Sequence, residues 1–180
     1  MKYVKLLAAF IILFLVGAFG YSLILSSPNA NNSEIGSSND STINPVENII
    51  YISKRDSLIS FAIKYLGTPY VYGACNKEGF DCSGFVYFVF KNFKIEVPRS
   101  SSEYKTFGKT MDIDKIKKGD ILVFLSPTRN VIGHLGIVTN PKGMETEFIH
   151  SSSGSEMKVI LSTLKEAGYN RRFVKAISVL

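Results

Sequence analysis

The sequence predicts an α+β domain, with N-terminal helices packed on a central antiparallel sheet. Two observations predict it. Apolar residues recur at helical spacing in the first part of the globular region, up to about Asn92. From Asp120 onward the pattern changes to short apolar runs divided by turn signals such as Ser126-Pro127 and Asn140-Pro141-Lys142-Gly143. No internal repeat interrupts this order.

The chain of 180 residues has room for one domain and appendages. Leu6–Leu25 is a run of twenty residues without a charge, preceded by Lys2 and Lys5. As a helix it would be about 30 Å long, the thickness of a bilayer's hydrocarbon core. The lysines keep the N-terminus in the cytoplasm and send the rest of the chain across the membrane. Residues 1–25 are therefore expected to be a transmembrane signal anchor. The alternative is a signal peptide cut after Ala18-Phe19-Gly20. Residues 26–47 open with SSPNANNSEIGSSNDSTIN, rich in Ser and Asn. Such a segment buries too little surface to offset its ordering entropy and reads as a flexible tether. The domain is expected over 48–180.

Within that domain, Ser53 can cap a helix from about Lys54 to Leu66, with Asp56 completing a capping box. Leu58, Ile59, Ala62, Ile63 and Leu66 form its apolar stripe, and Gly67 and Pro69 end it. A second helix is expected from Cys82 to about Asn92. Phe85, Val86, Phe88, Val89 and Phe90 make it apolar nearly all round, so it should be buried. Strands are expected at Asp120–Leu125, His134–Asn140, Glu147–Ser151, Lys158–Leu161 and Arg172–Val179.

Of the 21 basic and 15 acidic residues, two lysines and three acids precede residue 48, which leaves 19 basic and 12 acidic residues in the domain. A moderately basic domain suits polyanionic surroundings: nucleic acid, anionic lipid or an acidic cell-wall polymer. No dense Lys/Arg cluster is present, so nucleic acid is not an expected partner. The two cysteines, Cys75 and Cys82, are too few for a disulfide framework.

Chemistry concentrates in Asp81-Cys82-Ser83-Gly84-Phe85, where a loop enters the apolar helix. A cysteine at a helix N-terminus meets free N–H groups and the positive end of the dipole. Both stabilise a thiolate, so a depressed thiol pKa is expected at Cys82. The same N–H groups can stabilise the oxyanion of a tetrahedral intermediate. The chain's two histidines, His134 and His150, begin and end consecutive predicted strands. A hairpin through Pro141-Lys142-Gly143 would bring both to one end of the sheet. His134 can then take the Cys82 proton, and His150 can fix the orientation of His134.

These segments resemble the NlpC-type cell-wall cysteine peptidases, which are compact papain-like hydrolases of bacterial peptidoglycan. The resemblance spans residues 54–180. It rests on Asp81–Phe85, on Gly133-His134-Leu135-Gly136-Ile137 and on His150. Thr68-Pro69-Tyr70-Val71-Tyr72-Gly73, Pro98-Arg99-Ser100 and Lys117-Lys118-Gly119-Asp120 add to it. It implies Cys82 as nucleophile, His134 as base and His150 as the third, orienting residue. It places Tyr70 near the oxyanion, Ser83 at the oxyanion or substrate, and Arg99 among the substrate-binding residues. Asp81 either meets the free amine of the substrate or caps the helix locally. The implied partner is the peptidoglycan stem peptide, cut at the γ-D-glutamyl–diamino acid bond. The implied setting is extracytoplasmic, at the membrane if the N-terminal helix is kept. Ala74 and Cys75 depart from the family's small residues, often glycine, and Glu103-Tyr104 stands where glutamine is frequent.

No cofactor is expected. Cys75, Cys82, His134 and His150 suit zinc by chemistry, but their spacing lacks a close pair, so no metal is expected either. An amidase or acyltransferase on the same scaffold, or a noncatalytic wall-binding protein, are the competing readings.

Overall fold

The computed structural model describes residues 45–180, with side chains from Lys54 onward. The expected anchor and nearly all of the expected tether lie outside the described residues. Among the described residues no helix is long and apolar enough to cross a membrane.

Helix α1 spans Pro45–Ile63. Proline suits a first helical turn, where its missing N–H is not needed. The helix thus starts ahead of the expected Lys54 and takes in residues 45–47 of the expected tether. Ser53 lies inside it, so the capping box with Asp56 does not form. Asp56 instead meets Lys118 Nζ at 2.8 Å on the surface. Leu58, Ile59 and Ala62 are buried as the spacing predicts. The expected stripe stops short, because Ile63 and Leu66 are exposed and residues 64–66 form tighter turns. Gly67 closes the segment at φ +84°.

A hairpin of β1 (Cys75–Asn76) and β2 (Gly79–Phe80) leads into α2 (Cys82–Asn92). Asp81 caps α2: its Oδ1 accepts from the Gly84 N–H at 2.6 Å. Phe85, Val86, Val89 and Phe90 are buried, and Phe88 packs partly buried against Phe61, Tyr65 and Phe80. Gly84 is needed here for space. A Cβ on it would lie 2.1 Å from the Ala74 carbonyl oxygen.

The remaining strands are β3 (Lys109–Met111), β4 (Ile121–Leu125), β5 (Ile132–Asn140), β6 (Glu147–Ser151), β7 (Val159–Thr163) and β8 (Phe173–Ser178). A short helix α3 (Ala167–Asn170) precedes β8. These strands form one antiparallel sheet in the order β3-β8-β4-β5-β6-β7. Alternation sorts the side chains to two faces. Ile121, Val123, Leu135, Ile137 and Ile149 join the helices in one core. Leu122, Phe124, Val138 and Phe148 form a second core on the other face with Ile116, Leu164 and Ala176.

One buried ion pair ties α1 to the sheet. Arg55 Nη1 lies 3.0 Å from Asp120 Oδ1, with both side chains nearly inaccessible. Arg55 also donates to the Lys118 and Leu180 oxygens. Asp120 accepts from the Lys117 N–H at 2.8 Å and from the Ser178 hydroxyl at 3.0 Å. Gly119, at φ +82°, makes the turn that aims Asp120 inward.

Candidate active site

Cys82 is the first residue of α2 and is buried. Ladder pairing between β5 and β6 ends at Ile137 and Ile149. Beyond that point the backbone of β5 is free of β6, and there Cys82 approaches it. Cys82 Sγ lies 3.6 Å from the carbonyl oxygen of Gly133, the residue before His134. Backbone N–H groups of Ser83, Cys82 and Leu135 also act on the sulfur. The end of β6 is fastened to the loop before α2 by Ser151, whose hydroxyl donates to the Phe80 carbonyl at 2.8 Å.

The two histidines meet, as the predicted hairpin requires. His134 Nε2 and His150 Nδ1 are 3.0 Å apart, and the rings are nearly perpendicular. Both are buried among Phe124, Phe148 and Tyr169. His150 Nε2 is 3.2 Å from both the Ser162 hydroxyl and the Tyr169 hydroxyl. The nitrogen of His134 not engaged by His150 is Nδ1.

The thiol contradicts the expectation drawn from its helix position. Burial, and next the Asp81 carboxylate, push the Cys82 thiol up to about 11. The three N–H groups oppose this without overcoming it. His134 is held well below the usual imidazole range by burial, then by His150 and Arg172. Burial and Arg172 take His150 down to about 3. Each of these shifts favours the neutral form of its group at neutral pH.

Those imidazoles link stability to pH. A buried histidine whose pKa falls on folding is neutral in the native state, while the unfolded chain binds its proton below about 6.5. Stability present above that value is lost as pH falls toward 3. His150 and His134 act in the same direction, so the fold weakens as pH falls below about 6.5. Urea denaturation at neutral pH and near pH 4.5 should show this fall, and His150→Asn should reduce it. Equal stability at the two pH values would rule the linkage out.

The other sequence-predicted residues gather on the Cys82 side. Asp81 is held by several donors, which favours its local role. Besides Gly84, its carboxylate accepts from the Gly73 N–H at 3.0 Å and the Ser83 hydroxyl at 3.3 Å. Arg99 reaches the same carboxylate with both terminal nitrogens, at 2.8 and 3.0 Å. Arg99 also bonds the Ser83 hydroxyl and the Gly73 and Ala74 carbonyls. Arg99 is thus a clamp that joins the loop before β1 to the start of α2. Tyr70 is half-buried on the cleft wall; burial and then Cys82 raise its hydroxyl above the usual range. The cleft, about 490 Å³, is lined by Tyr70, Cys82, Ser83, Arg99 and, from the β4–β5 loop, Arg129.

Cys75 and Cys82 are both free thiols. Among the described residues, no group of three His, Cys, Asp or Glu side chains is placed to hold a metal ion. Sequence reading missed Ser162, Tyr169 and Arg172. One signal was available, since Ser162 is a polar residue on an inward register of β7, opposite Phe148. Tyr169 and Arg172 lie around α3 and carry no local pattern.

Comparison with known proteins agrees with this architecture. A sequence model of the NlpC/P60 family matches residues 67–178. The murein DD-endopeptidase MepS/murein LD-carboxypeptidase of Escherichia coli is 28% identical, over 92% of this chain and 91% of its own length. The gamma-D-glutamyl-L-lysine dipeptidyl-peptidase of Bacillus cereus is 30% identical over 77% of this chain, which spans only 40% of that protein. A crystal structure of an NlpC/P60 family protein from Bacillus cereus superposes with a TM-score of 0.63 at 28% identity, covering 70% of this chain and 40% of that one. The class so defined is that of the cell-wall peptidoglycan hydrolases. The chain belongs to the NlpC/P60 family.

Proposed function

We propose that the chain cleaves peptidoglycan stem peptides at the γ-D-glutamyl–diamino acid bond, with Cys82 as nucleophile and His134 and His150 completing the triad. One observation carries this reading: Cys82 Sγ sits against the carbonyl of Gly133, the residue before His134, and His134 Nε2 is tied to His150. The dipeptidyl-peptidase relative acts on the γ-D-glutamyl-L-lysine linkage, which fits the same bond. A substrate of this kind places the domain outside the cytoplasmic membrane.

The role of base fixes the tautomers. Nδ1 of His134 keeps its lone pair for the thiol proton, so Nε2–H donates to His150 Nδ1. His150 Nε2–H is then the donor toward Ser162 and Tyr169. Because thiol and imidazole start neutral, the proton moves to His134 as sulfur attacks the carbonyl carbon. The oxyanion meets the backbone N–H groups at the start of α2 and the Tyr70 hydroxyl. His134 then protonates the amine nitrogen, the C–N bond breaks and a thioester remains. Water, deprotonated by His134, attacks the thioester, and the proton returns to sulfur.

The test is mass spectrometry of muropeptides after digestion of peptidoglycan by the full chain. Fragments ending in D-glutamate, with matching products that begin at the diamino acid, are expected. Intact stem peptides after prolonged digestion would refute the reading.

A further inference from the structure

The site has a second recess that the proposed mechanism leaves unused. It has a volume of about 200 Å³ and is lined by His134, Ser152, Ser153, Gly154, Tyr169 and Arg172, among others. Of these two cavities, Cys82 lines the larger and His134 the smaller. That division assigns the two sides of the scissile bond. The acyl group stays on sulfur, so it occupies the larger cleft. The departing nitrogen takes its proton from His134, so the leaving residue extends into the smaller recess.

The recess is chemically distinct. Arg172 Nε donates to the Gly168 carbonyl at 2.8 Å and Nη1 to the Leu125 carbonyl at 3.1 Å. Its guanidinium lies over the Tyr169 ring, 5.1 Å from the centroid. Those contacts fix the side chain, and both acceptors are neutral. Among the described residues no carboxylate lies within ion-pair distance of Arg172. Nη2 and the second Nη1 proton remain for a ligand. The buried Ser152 accepts from the Gly154 N–H at 3.2 Å, which leaves its own proton to donate. A positioned guanidinium with hydroxyl donors beside it matches a carboxylate. The charge is also close enough to act on both imidazoles.

We propose that this recess is a carboxylate subsite for the leaving amino acid, with Arg172 as its specificity-determining residue. The enzyme then favours stem peptides whose leaving residue carries a free carboxylate over those in which it is amidated. The inference rests on the hydrolase reading for the direction of the substrate, and its test separates the two.

Two matched tripeptides serve, L-Ala-γ-D-Glu-L-Lys and its C-terminal carboxamide. With the full chain, kcat/KM should be about 10-fold or more higher for the free carboxylate, the scale of a hydrogen-bonded charge pair. Arg172→Gln should erase the preference, bringing the ratio of kcat/KM for the two tripeptides to about 1, whatever change the two rates share. Because Arg172 also braces α3, a measurement on the unmodified protein is needed as well. L-lysine and L-lysinamide, titrated against it by NMR, should differ in affinity by a similar factor. Equal kcat/KM for the two tripeptides, a preference that survives in Arg172→Gln, or equal affinity for lysine and lysinamide would each overturn the subsite. Discrimination between lysine and lysinamide with neither tripeptide cleaved would uphold the subsite and sink the hydrolase reading instead.

Discussion

Cys82→Ala is expected to lower stem-peptide cleavage by about 10⁴-fold or more, because it removes the atom that carries the acyl group in the proposed mechanism. The fold should survive. The contacts of the Cys82 sulfur are weak ones, to the Gly133 carbonyl and nearby backbone N–H groups, and alanine keeps its place at the start of α2. Muropeptide release and thermal unfolding, measured side by side on wild type and variant, separate the two effects. Retained cleavage would end the nucleophile assignment. The proposed triad adds a graded control. His150→Ala leaves His134 Nε2–H buried without its acceptor, and kcat should fall about 10²-fold or more with little change in KM. His150→Asn, which returns an acceptor oxygen, should recover part of that loss.

The largest loss of stability is expected at Asp120. Asp120→Ala removes the carboxylate bonded to the buried Arg55 and the acceptor for the Lys117 N–H and the Ser178 hydroxyl. Breaking such a pair from one side costs about 3–5 kcal/mol. In a domain of this size that corresponds to a fall in Tm of about 10 °C or more. Lys118→Ala is the matched control, because the Lys118–Asp56 pair is half-exposed and should contribute under about 1 kcal/mol. Urea unfolding of both variants is the measurement. A loss at Asp120 no larger than that at Lys118 would show that the pair does not anchor α1.

What is locally encoded is legible in the sequence. Cys82–Asn92 and Glu147–Ser151 form with the expected bounds, since apolar pattern and turn residues agree there. The start of α1 was missed because Ser53 and Asp56 imitate a capping box inside a longer helix. Strands β1, β2 and β3 are two or three residues long and exist through their partners, so no periodicity announces them. At the site, Cys82, His134 and His150 stand in recognisable segments. Ser162, Tyr169 and Arg172 come together by folding alone. The ionisation of Cys82 was misjudged because the helix terminus was weighed without burial or its immediate neighbour. Asp81 caps the helix with a negative charge beside the sulfur, and that residue was visible in the sequence.

Behind His150 the hydrogen-bond chain ends on two hydroxyls, those of Ser162 and Tyr169. An anionic partner at that point would strengthen His134 as a base and weaken the imidazolium as an acid. A neutral imidazole does the reverse. Sulfur has the compensating property, because a thiol with a high pKa gives an intrinsically more reactive anion once its proton has gone. In the proposed cycle this favours expulsion of the amine, because the His134 imidazolium is then the stronger proton donor. For an amide, whose nitrogen departs only when protonated, this places the advantage on the forward partition of the adduct.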